Sequence, residues 1–295
     1  MDKITKLFGK ALLASVAVCA LLTSPAHAAD DADGTAQDML RVCAGAKENP
    51  YSTKDEKGFE NRIAKALGEV MGKKVVFAWE DKPAIYVVRD QLDKNNCDLV
   101  VGVDTGDPRL LTTTPYYRAG YVFVQPADSE LEIEAFDSPD LARANNVGYE
   151  PGGPAEVMMV KHGLFSKNFN YVKSLTNYKS SRNQFLRIDP ALMVSNVLDG
   201  KSDVAIAFAP SVARYVKESG GKLKMTPVPD KNFRFDGEPV LFHFDQSMGV
   251  RKDDKEFFEE VEEALKKAKP EIIEILTDEG IPVEEPTQPP AGTKS

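Results

Sequence analysis

The side chains best placed to act on another molecule are those that bind, not those that make or break bonds. Arg109 closes the stretch Gly-Val-Asp-Thr-Gly-Asp-Pro-Arg at 102–109. Its guanidinium offers a rigid fork of donors that fits a carboxylate in a bidentate way. Asp104 and Asp107 precede it, and Glu48 sits on an earlier loop. Hard cations want about six to eight oxygen ligands. The spacing Asp104-x-x-Asp107 lacks an EF-hand pattern, so these acids are expected to be solvated or capping, with no metal bound. Tyr116, Tyr117 and Tyr121 follow, with Arg118 among them. Tyr and Arg dominate binding hot spots, so this run reads either as a cleft wall or partner anchor, or as core and hinge packing. Tyr51 and Trp79 are further cleft candidates, as are Gly152 and Gly153 in a Pro-Gly-Gly-Pro turn, and Phe208.

Catalysis finds little support. Past the leader, the histidines are His162 and His243. His162 sits beside Gly163 at a predicted helix end, where the dipole favours a cation. His243 lies in an apolar strand pattern and reads as a core histidine. No Ser-His-Asp grouping is legible from spacing, and no glycine-rich phosphate loop follows a strand. Neither a catalytic residue nor a cofactor is expected.

The N-terminus speaks to compartment. Lys3, Lys6 and Lys10 precede an apolar run from Ala11 to Leu22, and then comes Ala26-His27-Ala28. This is the pattern of a cleavable signal peptide, residues 1–28, cut after Ala28, with the periplasm as destination. A spanning helix would need about 20 apolar residues, so no membrane insertion is expected. Val18 before Cys19 argues against lipidation there. Losing the leader, with Asp2 and three lysines, takes the net charge from −9 to −11. Such a chain repels nucleic acid and anionic lipid; its acidity serves solubility or a basic protein partner. Cys43 and Cys97 remain, and in an oxidising compartment the pair is expected to be bridged, two buried thiols being the alternative.

Elements can be placed around these residues. Residues 29–37 are small and polar and read as a flexible start. A strand at Leu40–Ala44 leads through a turn-rich loop to a helix marked by Phe59, Ile63, Leu67 and Val70, ended by Gly72. Strands at Val75–Trp79 and Cys97–Gly102 flank a helical segment at Ile85–Leu92. The alternation argues α/β architecture with a parallel sheet. In strand order 2-1-3, the strand of Cys43 lies beside that of Cys97. Further strands are expected at Tyr121–Gln125, Asn146–Tyr149, Phe169–Val172, Asp203–Phe208, Leu223–Val228 and His243–Val250, with helices from Ala155 and at Ala191–Leu198. A terminal helix carries Phe258, Val261, Leu265 and Ala268 on one stripe, and Pro270 is expected to break or restart it. This divides the chain into a first lobe of 38–122 and 245–283, a second lobe of 123–244, and a disordered tail, 284–295. Two tandem domains would give nearly the same pattern.

The motifs also carry a resemblance. Leu-Arg-Val-Cys at 40–43, Gly-Phe-Glu at 58–60, Cys-Asp-Leu-Val-Val-Gly at 97–102, Arg109 and Pro-Tyr-Tyr at 115–117 resemble the extracytoplasmic solute-binding proteins (family 3) of polar amino acid transporters. Gly-Phe-Glu-Asn-Arg-Ile at 58–63, the 102–109 stretch and Thr-Pro-Tyr-Tyr-Arg-Ala-Gly-Tyr-Val-Phe-Val at 114–124 are similar to the methanol-oxidation group MoxJ (MxaJ) and XoxJ. The resemblance implies a two-lobed type II periplasmic binding protein fold, each lobe a mixed sheet flanked by helices, joined by a two-strand hinge. It implies a non-enzymatic accessory whose partner is a pyrroloquinoline-quinone methanol dehydrogenase of calcium or lanthanide type. A solute receptor delivering a small molecule to a transporter is the alternative. The amino acid binders hold a ligand ammonium with an acid in the second lobe; here Phe208 stands at that place, and Pro154 removes an N–H from the usual donor turn. A free amino acid is therefore not the expected ligand.

Overall fold

The structure, a computed structural model, describes residues 38–176 and 187–287. The signal peptide, the flexible start and the tail beyond Thr287 lie outside the described residues. The chain opens with β1 (Met39–Gly45), two short strands β2 (Lys47–Glu48) and β3 (Ser52–Thr53), and helix α1 (Phe59–Met71). Then come β4 (Lys74–Glu80), the short helix α2 (Val87–Asp90), β5 (Leu99–Asp104), β6 (Leu111–Thr112) and the long strand β7 (Tyr117–Pro126). The middle of the chain supplies α3 (Pro139–Arg143), β8 (Gly148–Tyr149), α4 (Pro154–Lys161), α5 (Phe165–Leu175), α6 (Pro190–Leu198), β9 (Ala205–Phe208), α7 (Ala209–Glu218) and β10 (Leu223–Pro227). Strand β11 (His243–Val250) and helix α8 (Lys255–Asp278) complete it.

The main sheet runs β4-β1-β5-β11-β7-β9-β8. Its first three strands are parallel in the expected 2-1-3 order, with Cys43 opposite Val100. Cys43 and Cys97 are disulfide-bonded, their Cα atoms 5.3 Å apart. The switch from one half to the other happens inside β7. Residues Tyr117–Gly120 pair with β11, whereas Tyr121–Pro126 pair with β9 and β10. Each half has its own apolar core. One packs Leu40, Phe59, Ile63, Leu67 and Leu99 against Val261, Leu265 and Ile272 of α8; the other gathers Phe123, Tyr149, Met159, Val194, Ile206 and Phe242. The fold is thus a two-lobed mixed α/β structure.

Three expectations are corrected. Residues Phe169–Val172 are not a strand but the middle of α5. Four consecutive residues wrap around a helix: Val172 is buried and Phe169 is exposed, its ring tilted against Phe165 one turn earlier at 5.6 Å, while buried Asn168 accepts the Val147 N–H at 2.8 Å. Pro270 does not interrupt α8. It lies on the exposed face, while Ala268, Ile272, Ile275 and Leu276 continue the buried stripe and hold the helix together. The tail is ordered further than its composition suggested. Glu284 and Arg118 exchange backbone hydrogen bonds at 2.9 and 3.2 Å, and the Thr287 N–H donates to Asp245 at 3.3 Å.

Candidate functional site

A cavity of about 380 Å³ opens beyond the C-terminal ends of β1 and β5, the place where open α/β sheets bind ligands. Local chemistry explains who lines it. The first two N–H groups of α1, on Phe59 and Glu60, donate to the carbonyls of Pro50 and Tyr51 at 3.1 and 2.9 Å. Those contacts satisfy donors that a helix start leaves unpaired, and Gly58 allows the close approach, since a Cβ there would strike the Tyr51 carbonyl. As a result the Glu60 side chain, in the first turn, faces the cavity together with Tyr51, whose ring packs on Phe59 at 5.0 Å. Glu48 reaches the same space from β2. One of its oxygens takes the Ala84 N–H at 3.1 Å and the other pairs with Arg187, which comes from the second lobe.

The electrostatics are dominated by acids. Burial, reinforced by neighbouring Glu48, holds the Glu60 carboxyl well above the usual carboxylate range. Burial likewise raises Glu150 to about 7, against the opposing pull of the Ile188 N–H and Arg187. The Tyr51 phenol is pushed well up by desolvation, and Tyr121 to about 12 by desolvation with Glu150 and Asp104 nearby. Arg109 lines the cavity but is held by Asp107, Nη2 to Oδ2, at 2.6 Å. Asp104 accepts the Gln246 amide at 2.7 Å.

Among the sequence candidates, the structure brings Tyr51, Asp104, Asp107 and Arg109 to this one cavity. It does not bring the others there. Tyr116 and Tyr117 are each 1 % exposed and belong to the first lobe's core, so the cleft-wall and partner-anchor reading of these two gives way to packing. Arg118 is engaged with Asp245 and Glu284 at 3.3 and 3.5 Å, at the crossing between lobes. Trp79 lies on edge strand β4 beside Phe77 and is not part of the lining. Gly152 has φ +77° in the turn before α4, and Gly153 caps that helix, near the Tyr121 hydroxyl. Phe208 ends β9 and packs on Tyr121 at 5.6 Å and Phe244 at 6.1 Å.

Position 208 carries no acid, as its sequence shows, but acids of the first lobe line the cavity: Glu48, Glu60 and Asp104 share it with Arg109. Glu48 and Asp104 stood among the acids considered from the sequence, and Glu60 did not. Glu60 and Arg187 are the cavity-lining side chains not foreseen; the available signal was an isolated glycine, Gly102, inside the strand that Glu60 crosses.

No family model matches the chain. Protein MoxJ of Methylorubrum extorquens (strain AM1) is 47% identical over 281 residues, which span 92% of this chain and 93% of that protein. The chain belongs to the MoxJ family. Membership accounts for the fold: the crystal structure of MxaJ from Methlophaga aminisulfidivorans MPT, 46% identical, superposes with a TM-score of 0.79 over 83% of this chain and all of that one. The periplasmic binding protein XoxJ from Methylobacterium extorquens AM1, 24% identical, shares the fold with a TM-score of 0.60, covering 84% of this chain and all of that one. Like a MoxJ-family scaffold in general outline, the molecule is a two-lobed periplasmic binding protein fold, and no described helix is long and apolar enough to cross a membrane.

Proposed function

We propose that this MoxJ-family chain is a periplasmic accessory of a pyrroloquinoline-quinone methanol dehydrogenase, acting by binding the dehydrogenase to assist its assembly or activation. The observation that carries the reading is identity to MoxJ across nearly the full length of both chains, together with the methanol-oxidation motifs at 58–63, 102–109 and 114–124. Net charge supports it: an acidic protein is steered toward a basic patch on its partner, and such steering weakens with salt. The test is capture of purified calcium-type and lanthanide-type dehydrogenases on the immobilised mature chain, at low and moderate salt. Retention of one of them, falling as salt rises, is expected. Absence of retention of both at either salt overturns the proposal.

A second reading, a solute receptor serving a transporter, is favoured by the cavity itself, which is of ligand size. A ligand that binds only the folded state raises the melting temperature by mass action. A thermal-shift panel of amines, alcohols, quinone precursors and metal salts tests it; a flat response across the panel removes it.

A further inference from the structure

Two of the cavity's carboxyl groups lie where the backbone has given up a side chain. A Cβ on Gly102 would collide with Oε1 of Glu60, and a Cβ on Gly45 with Cγ of Glu48. These glycines sit on β5 and β1, the two strands whose ends floor the cavity. Acidic side chains have been given room across both strand ends, although acids are the groups most costly to take out of water.

Their partners are unequal. Glu48 is satisfied by the Ala84 N–H and by Arg187. Glu60 has no hydrogen-bond or ion-pair partner among the described residues; it is enclosed by protein except where it meets the cavity. Its other neighbours are Tyr51, Tyr116 and Tyr117, whose phenols all sense its charge. Tyr51 presents an aromatic surface to the same space, and Val88 and Val100 supply aliphatic wall. Arg109 is not free to clamp a carboxylate, because Asp107 already holds its Nε and Nη2. Arg187 is the cation that reaches the acidic wall, and its side chain stays 48% exposed while doing so. The protein's own guanidinium thus shows what the wall accepts.

We infer that this cavity binds a small organic cation, an alkylammonium or alkylguanidinium group without a carboxylate, which pairs with Glu60, lies against the Tyr51 ring and displaces Arg187 from Glu48. A carboxylate with aromatic surface at hand is the combination that recognises such a cation in a partly dry site. A metal ion is the poorer match, since no group of three His, Cys, Asp or Glu ligands is arranged for one among the described residues. Binding ionises Glu60, so affinity rises with pH. The groups facing Glu60 are Glu48 and the three tyrosines, with Asp104 and Arg109 elsewhere on the wall; the tyrosines stay neutral across the range used.

The test uses the mature chain with butylammonium and butylguanidinium chlorides, and with butanol and sodium butyrate as controls, at constant ionic strength. Thermal shift and calorimetry are expected to show saturable binding of the two cations and none of the controls. Glu60→Gln should weaken cation binding about tenfold or more, as loss of a charge-assisted contact does. Arg187→Ala should tighten it several-fold by removing the internal competitor, and wild-type affinity should climb as pH rises. No cation-selective binding, or unchanged binding in Glu60→Gln, overturns the inference. If Glu60→Gln does not fold, the other two arms decide: weaker or unchanged binding in Arg187→Ala, or a pH-independent affinity, is equally fatal. Capture of a dehydrogenase is read separately, so either idea can fail without the other.

Discussion

Replacing Glu279 by Gln should cost this protein more stability than any comparable change of a surface acid. Glu279 is 5% exposed and follows α8. Its two oxygens take Arg62 at 2.5 Å from α1, and Arg214 from α7 twice, at 2.7 and 2.8 Å. Arg214 in turn donates to the carbonyls of Pro50 and Lys57, so one carboxylate ties the second lobe's α7 to the loop and helices of the first. Removing the charge takes from Arg214 the anion it pairs with, and leaves Arg62 only Asp278, at 2.9 Å. Breaking a buried pair typically costs about 3–5 kcal/mol. Here the arginine side chains retain 34% and 21% exposure, and water recovers part of the loss, so about 2–3 kcal/mol is expected. In a chain of this size that corresponds to a fall in melting temperature of roughly 4–12 °C. The measurement is urea and thermal unfolding of the protein beside Arg143→Gln, which removes an exposed pair with Asp140 and should change stability by less than about 0.5 kcal/mol. If Glu279→Gln proves as mild as Arg143→Gln, the claim that this carboxylate locks the lobes together is wrong.

Other outcomes follow from the same reasoning. Reducing the Cys43–Cys97 bridge, or replacing both residues by Ser, frees a loop spanning 54 positions and should destabilise by up to about 4 kcal/mol on the chain-entropy argument; unfolding midpoints with and without reductant read this directly. Glu150 has its carboxyl raised to about 7, chiefly by burial. Its folded-state value lies above the unfolded one, so its ionisation is a penalty absent below about pH 4.5 and complete above about pH 7. Glu150→Gln should therefore match wild type near pH 4.5 and exceed it at pH 8, by up to about 3 kcal/mol; equal stability at both pH values counts against a desolvated carboxyl there. Gly102→Ala places a methyl group on Glu60 at a residue with φ +72° and should destabilise by more than about 1 kcal/mol, measured by urea midpoint; a silent substitution would mean that Glu60 does not lie across that strand.

What the sequence revealed and what it hid divide along the range of the interactions. Strands β1, β4 and β5 were legible because short apolar runs bounded by turn residues are local signals, and the 2-1-3 order then set Cys43 beside Cys97. The run Phe169–Val172 misled because so short an apolar segment has no period of its own. Tyr116 and Tyr117 stayed open between an interface and core packing, because their types suit both and only their place in the first lobe's core decides that they are covered. The acidic cavity was least visible of all. Glu48, Glu60 and Arg187 come together through a helix start, a short strand and a segment from the far lobe, and no spacing in the chain encodes that meeting.

The backbone pairing of Glu284 with Arg118 gives the C-terminus a mechanical office. At the seam where β7 passes from one lobe to the other, the Glu284 carboxylate also meets the His243 imidazole, 2.9 Å away, on the neighbouring strand. The tail is a suture over the joint. A chain trimmed after Ile281 would keep every helix and strand of both halves, Glu279 included, yet lose the stitch between them.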